Sequence, residues 1–99
     1  MNVEECRKRI DQVDEQLVRL LSVRAQLAIE IGRTKTEAGI ELYDPAREEE
    51  VARRVVEANP GVLDAEAISR LFREIVGESR RAAERATERA ASVRNGANQ

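Results

Sequence analysis

The sequence predicts an all-α fold of three helices, the first of them very long. Three observations carry this. Apolar residues recur at alternating steps of three and four. Capping and breaking residues cluster at two junctions, around 39–45 and 59–64. No stretch shows strand alternation, and no internal repeat or low-complexity linker intervenes.

The first helix is read from about Val3 to about Ala38, with Gly39 as its stop. Its ladder is Val3, Cys6, Ile10, Val13, Leu17, Leu20, Leu27 and Ile31. At ~1.5 Å per residue it is roughly 50 Å long, which suggests that it reaches into a partner. Gly32 lies inside it, either for close approach or merely tolerated. Asp44 then reads as an N-cap and Pro45 as the first residue of a second helix, which runs to about Ala58. Asn59, Pro60 and Gly61 break it. Asp64 caps the third helix, and Leu63 can staple onto Ile68. Ile68, Leu71, Phe72, Ile75, Val76 and Ser79 share one side of that helix. Beyond Ser79 only alanines keep the spacing, so the helix is expected to fray. The expected division is a helical domain over 1–91 and a disordered tail over 92–99.

Composition bounds the function. Ninety-nine residues make one domain, and a chain this short gains from sharing a core. Charged residues are 36% with a net charge of −2, and aromatics are 2%. That leaves no basic field or stacking platform for nucleic acid. No apolar run reaches membrane-spanning length, and no secretory signal is expected. Cys6 is the lone cysteine and falls on the ladder, so it reads as a small buried apolar residue in a reducing, cytoplasmic setting. Histidine is absent, which removes histidine-based acid–base and zinc chemistry. No cofactor or metal is expected.

Position 24 is where the pattern breaks. The ladder demands an apolar residue there and has Arg24. A buried guanidinium needs an anion or several acceptors. One reading is an internal ion pair, for example with Asp14. The other is a pocket for a small polyanion, favoured because Arg7 and Lys35 flank the same stripe. Arg7 and Lys35 are 28 residues apart, or roughly 42 Å along a straight helix. No metabolite spans that. Arg24 and Lys35 are close enough to converge, so a pocket using all three cations takes Arg7 from a second chain. A two-fold dimer with crossing first helices makes two such sites. On the second helix Asp44, Arg47, Glu48, Val51 and Val55 share a face. Taken singly, Asp44 reads as a cap, Arg47 and Glu48 as solvated charges, and Ser79 as bonded to its own helix.

These residues fall into ordered motifs: Arg7-x-x-Ile10-Asp11-x-x-Asp14, Leu20-Leu21-x-x-Arg24, Ile31-Gly32-x-x-Lys35, Tyr43-Asp44-Pro45-x-Arg47-Glu48 and Leu71-Phe72-Arg73-Glu74-Ile75. Together they resemble the AroQ class of all-helical chorismate mutases, over about residues 4 to 82. The resemblance implies an intertwined homodimer of three-helix chains. It implies an isomerase that converts chorismate, a dicarboxylate, to prephenate by a Claisen rearrangement in aromatic amino-acid biosynthesis. Carried over, Arg24 and the second chain's Arg7 bind the two carboxylates, and Lys35 donates to the ether oxygen. Asp44 and Glu48 hold the ring-hydroxyl side, and Arg47 supports the pocket. Ser79 lies near the hydroxyl or carboxylate, and Val51 and Val76 are apolar walls. A pericyclic reaction needs no nucleophile. It needs a clamped conformer and donors aimed at the charge that grows on the ether oxygen.

One position departs from the family. A glutamine or glutamate usually follows the serine by one turn, as a second donor to the ether oxygen, and here that residue is Ala83. Glu84 is its neighbour but points about 100° away on an ideal helix. Alternative readings are a mutase or pyruvate lyase acting on a chorismate analogue or isochorismate, and a low-activity module that needs a partner such as an early shikimate-pathway enzyme.

Overall fold

The structure is a computed structural model and describes residues 1–97. It contains α1 (Val3–Glu37), α2 (Pro45–Ala58) and α3 (Ala65–Ala97), with no strand among the described residues. No helix in it is long and apolar enough to cross a membrane.

Local chemistry sets each boundary. Asn2 caps α1, its side chain accepting from the Glu5 backbone N–H at 2.9 Å. Glu4 and Glu5 in the first turn complement the helix dipole. At the other end Gly39 takes φ 71°, and the Ile40 N–H reaches back to the Lys35 carbonyl at 2.8 Å. That turn brings Leu42, Tyr43 and Asp44 back beside Lys35. Asp44 caps α2 by accepting from the Arg47 N–H at 3.1 Å, with Pro45 at the first helical position. Pro60 forces Asn59 out of the helix to ψ 122°, which ends α2. Asp64 opens α3 by accepting from the Ala67 N–H at 2.7 Å.

The helix α3 is the middle layer. It packs against α1 on one side and α2 on the other, and α1 and α2 do not pack on each other. Val18, Leu21 and Ala25 face Ile75 and Ala82, while Ile29, Arg33 and Thr36 face Ala86, Ala90 and Arg94. Hence α1 runs parallel to α3. By the same logic α2 is antiparallel to it, because Ala52 meets Phe72 while Glu48 meets Arg80.

Two sequence expectations need correction for the single chain. The α1 residues that face α3 start at Val18, and every residue from 1 to 23 is exposed. The ladder residues Ile10, Val13, Leu17, Leu20, Leu27 and Ile31 are all exposed, although their spacing predicts a core face. Cys6, expected to be buried, is exposed with them. The physical reason is shared: nothing among the described residues of the chain covers that face. The helix α3 itself runs to Ala97. Alanine, arginine and glutamate sustain helix without tertiary packing. Asn98 and Gln99 lie outside the described residues.

Gly32 is resolved in favour of close approach. A Cβ added there would lie 3.2 Å from the Ala83 Cβ and 3.4 Å from the Leu42 Cδ2. The Ala83 Cβ is fixed to the α3 backbone and cannot swing aside. Gly32→Ala is therefore expected to lower the melting temperature, although alanine improves helix propensity by about 1 kcal/mol. A melting temperature raised by the substitution would show that α1 and α3 separate without penalty.

Candidate active site

Where the three elements converge there is a pocket of about 110 Å³. α1 supplies Arg24, Ala28, Ile31, Gly32 and Lys35, the connection supplies Leu42 and Asp44, α2 supplies Glu48, and α3 supplies Val76, Ser79, Arg80 and Ala83. A larger groove of about 590 Å³ lies between α2 and α3, lined partly by Glu49, Arg53, Glu57 and Arg73. Its charges alternate in sign and none is buried, so the smaller pocket is the better site.

The pocket's hydrogen bonds tie its walls together. Arg24 Nη1 donates to Ser79 Oγ at 2.8 Å, across 55 residues of sequence. Ser79 is only 5% exposed. Its hydroxyl therefore serves the pocket cation and not its own helix. Asp14 is not the partner of Arg24: among the described residues no carboxylate lies within 4.0 Å of that guanidinium. Burial chiefly, then the nearby Arg47 charge, pushes the Arg24 pKa below its ordinary value, and Glu48 pulls it back up. Arginine stays charged in spite of this. It is a preformed, partly desolvated cation.

The other charges come in pairs. Lys35 Nζ lies 3.9 Å from Asp44 Oδ2 and 3.5 Å from the Leu42 carbonyl, to which it donates. Asp44 is thus both the cap of α2 and a pocket carboxylate. Glu48 accepts a hydrogen bond from Arg80. Val76 and Ala83 line the pocket, and Ala83 is only 3% exposed.

Four expected residues sit elsewhere. Arg47 is exposed and turns along its own helix to Glu50 at 2.8 Å, so it acts on the pocket only through its charge. Val51 is buried and does not line this pocket in the single chain; it lines a small crevice with Glu48, Phe72 and Val76. Arg7 is at the far end of α1, exposed and 3.4 Å from Glu4. Glu84 does not enter the space left by Ala83; its carboxylate lies 3.5 Å from Arg80 Nε. Arg80 is the residue that sequence reasoning missed. It belongs to an Arg80-Arg81 pair that reads as solvated, and nothing in the spacing of α3 couples it to Glu48 on α2.

Fold and site together define an all-helical domain with a small, cation-bearing pocket suited to a compact anion. Residues 6–84 match the family model described as chorismate mutase type II. The chain belongs to that family, and those residues form a chorismate mutase domain. It is similar to the bifunctional chorismate mutase/prephenate dehydratase of Pseudomonas aeruginosa, 43% identical over 75 residues, covering 71% of this chain and 20% of that protein. The corresponding protein of Aquifex aeolicus is 38% identical over 78 residues, covering 75% of this chain and 22% of its own length. The chain thus spans about a fifth of these curated relatives. Among solved structures, chorismate mutase (Form II) from Thermus thermophilus superposes with a TM-score of 0.81 at 43% identity, covering 84% of this chain and 94% of that one. Chorismate mutase from Helicobacter pylori in complex with prephenate gives 0.79 at 30% identity, covering 87% and 93%.

Proposed function

We propose that this chain is a chorismate mutase that works as an intertwined homodimer, with two sites shared between chains. The observation that carries the reading is Arg24: a half-buried cation, aligned by Ser79 and facing the pocket without a carboxylate of its own. Such a group is prepared for a substrate carboxylate. The dimer is supported by the uncovered α1 ladder and by the shape of the chain. Its longest extent is 62 Å and its radius of gyration 17.6 Å, against about 13 Å for a compact domain of this size.

In this reading the partner chain's α1 lies along the exposed ladder and delivers its Arg7 to the second substrate carboxylate. The two arginines hold the enolpyruvyl side chain over the ring, in the geometry that bond formation needs. Asp44 and Glu48 accept from the ring hydroxyl. Lys35 leaves its long contact with Asp44 to donate to the ether oxygen as the C–O bond breaks. No covalent intermediate forms. The catalytic domain is assigned to 1–91, in a reducing, cytoplasmic setting that rests on the single cysteine.

The test is depletion of chorismate by the purified chain, followed by absorbance across pH 5 to 8, with isochorismate assayed in parallel. Prephenate as the product supports the reading. No turnover, together with no binding of a bicyclic dicarboxylate transition-state analogue, overturns it.

Ala83 gives a second expectation. It lines the pocket and leaves Lys35 as the one evident donor to the ether oxygen. Ala83→Gln should raise kcat more than it lowers KM, because the new bond strengthens in the transition state. A gain of up to about 100-fold fits one donor of this kind. An unchanged kcat in a folded dimer would show that the donor set is already complete.

A further inference from the structure

Arg80 is held from three directions. It donates to Glu48 on α2, its Nε lies 3.5 Å from Glu84 one turn along α3, and its guanidinium stacks 4.8 Å from the centre of the Tyr43 ring. It is three-quarters buried, with 25% side-chain exposure. An arginine fixed by stacking and by two carboxylates has little freedom, and its planar fork carries that rigidity to what it binds. What it binds is a carboxylate that lines the pocket.

The charge count gives this contact a purpose. Asp44 and Glu48 both line the pocket, and an anionic substrate is repelled by each. Lys35 stands by Asp44 but is the proposed donor to the substrate. Arg80 is the cation committed to Glu48. With it the lining carries one net positive charge, and without it none.

We propose that Arg80 is a positioning residue that aims the Glu48 carboxylate into the pocket and cancels its charge, so that Arg24 and Lys35 remain available to a dianionic substrate. The role rests on the chorismate mutase reading of the same pocket. It assigns Tyr43 and Glu84 as the supports that hold the arginine in place. It also explains why Glu84, next to the small Ala83, is directed at Arg80 and not into the pocket.

The experiment compares Arg80→Met, Arg80→Lys and the double variant Glu48→Gln/Arg80→Met in the full chain. The readouts are kcat and KM for chorismate, calorimetric affinity for a bicyclic dicarboxylate inhibitor, and the melting temperature. Methionine keeps the apolar stem on Tyr43 and removes the charge. Arg80→Met should raise KM and weaken the inhibitor by about 10- to 100-fold, the range for a lost charged hydrogen bond. Lysine restores charge but not the fork, so Arg80→Lys should recover most of the affinity and only part of kcat. The double variant should bind the inhibitor more tightly than Arg80→Met, because the unpaired carboxylate is gone. A purely structural Arg80 would not produce that recovery. Wild-type affinity in Arg80→Met, or a double variant no better than Arg80→Met, overturns the role. If Arg80→Met does not fold, Arg80→Lys decides: losses equal in affinity and kcat overturn it. Failure of the parent reading looks different, since the wild-type protein then binds no dicarboxylate, which overturns both.

Discussion

Replacing Arg24 with leucine is expected to leave a folded protein that has lost its substrate. Arg24 occupies a position that is apolar by pattern, and burial works against its charge. Leucine removes that penalty, so stability should be unchanged or higher. The Ser79 hydroxyl loses its donor at 2.8 Å but can turn to its own helix backbone. Binding behaves oppositely. A carboxylate that loses a two-pronged charged partner forfeits roughly 3–6 kcal/mol, or at least about 10²-fold in kcat/KM. The check is a thermal melt beside inhibitor calorimetry and steady-state kinetics. Arg24→Leu that unfolds, with inhibitor binding intact in a milder Arg24→Lys variant, would make Arg24 a structural residue.

The second large effect concerns the shared site. Arg7→Ala and Lys35→Ala should each reduce activity by about 10²-fold or more, one removing a carboxylate clamp and the other a donor to the ether oxygen. Their mixture should behave differently. When the two variants are unfolded and refolded together, half of the dimers are mixed. In a mixed dimer one site holds both lesions and the other holds neither. Recovery to about a quarter of wild-type activity is expected from two-fold statistics. Subunit exchange can be verified by native mass spectrometry. Verified mixed dimers with no recovered activity would rule out a site built from two chains. Arg7 lies at the exposed far end of α1, where among the described residues its ion pair is with Glu4, and the rigid helix keeps it far from Lys35 of the same chain.

Much of this architecture is legible in the sequence because it is local. Asp44 and Asp64 as caps, Gly39 as the left-handed stop and Pro60 as the breaker each act through their own backbone. Period and punctuation therefore yield three helices with their ends nearly in place. Spacing also places Arg24 with Lys35, Asp44 with Glu48, and Val76 with Ser79 and Ala83 along their own elements, and the fold gathers these groups around one pocket. The apolar ladder is legible as a pattern, but its burial is not a property of one chain. Ile10, Val13 and Leu17 are exposed in the single chain, and it is the proposed dimer that would cover them.

What the tertiary structure decides is which side chain answers which. Helical spacing places Arg47 and Glu48 side by side, yet one turns outward to Glu50 and the other inward to Arg80. Val51 shares their face but lines a separate small crevice with Phe72 of α3. The choice between two uses of Gly32 is made by Ala83, 51 residues away, whose Cβ fills the space a side chain would need. Arg80 is hidden in a run of charges until α2 and the Tyr43 connection fold against it. The sequence by itself determines the helices, because each is specified by hydrogen bonds and caps within a few residues. Pairing between helices depends on distances and rotamers across elements far apart in the chain, and only the folded arrangement sets those.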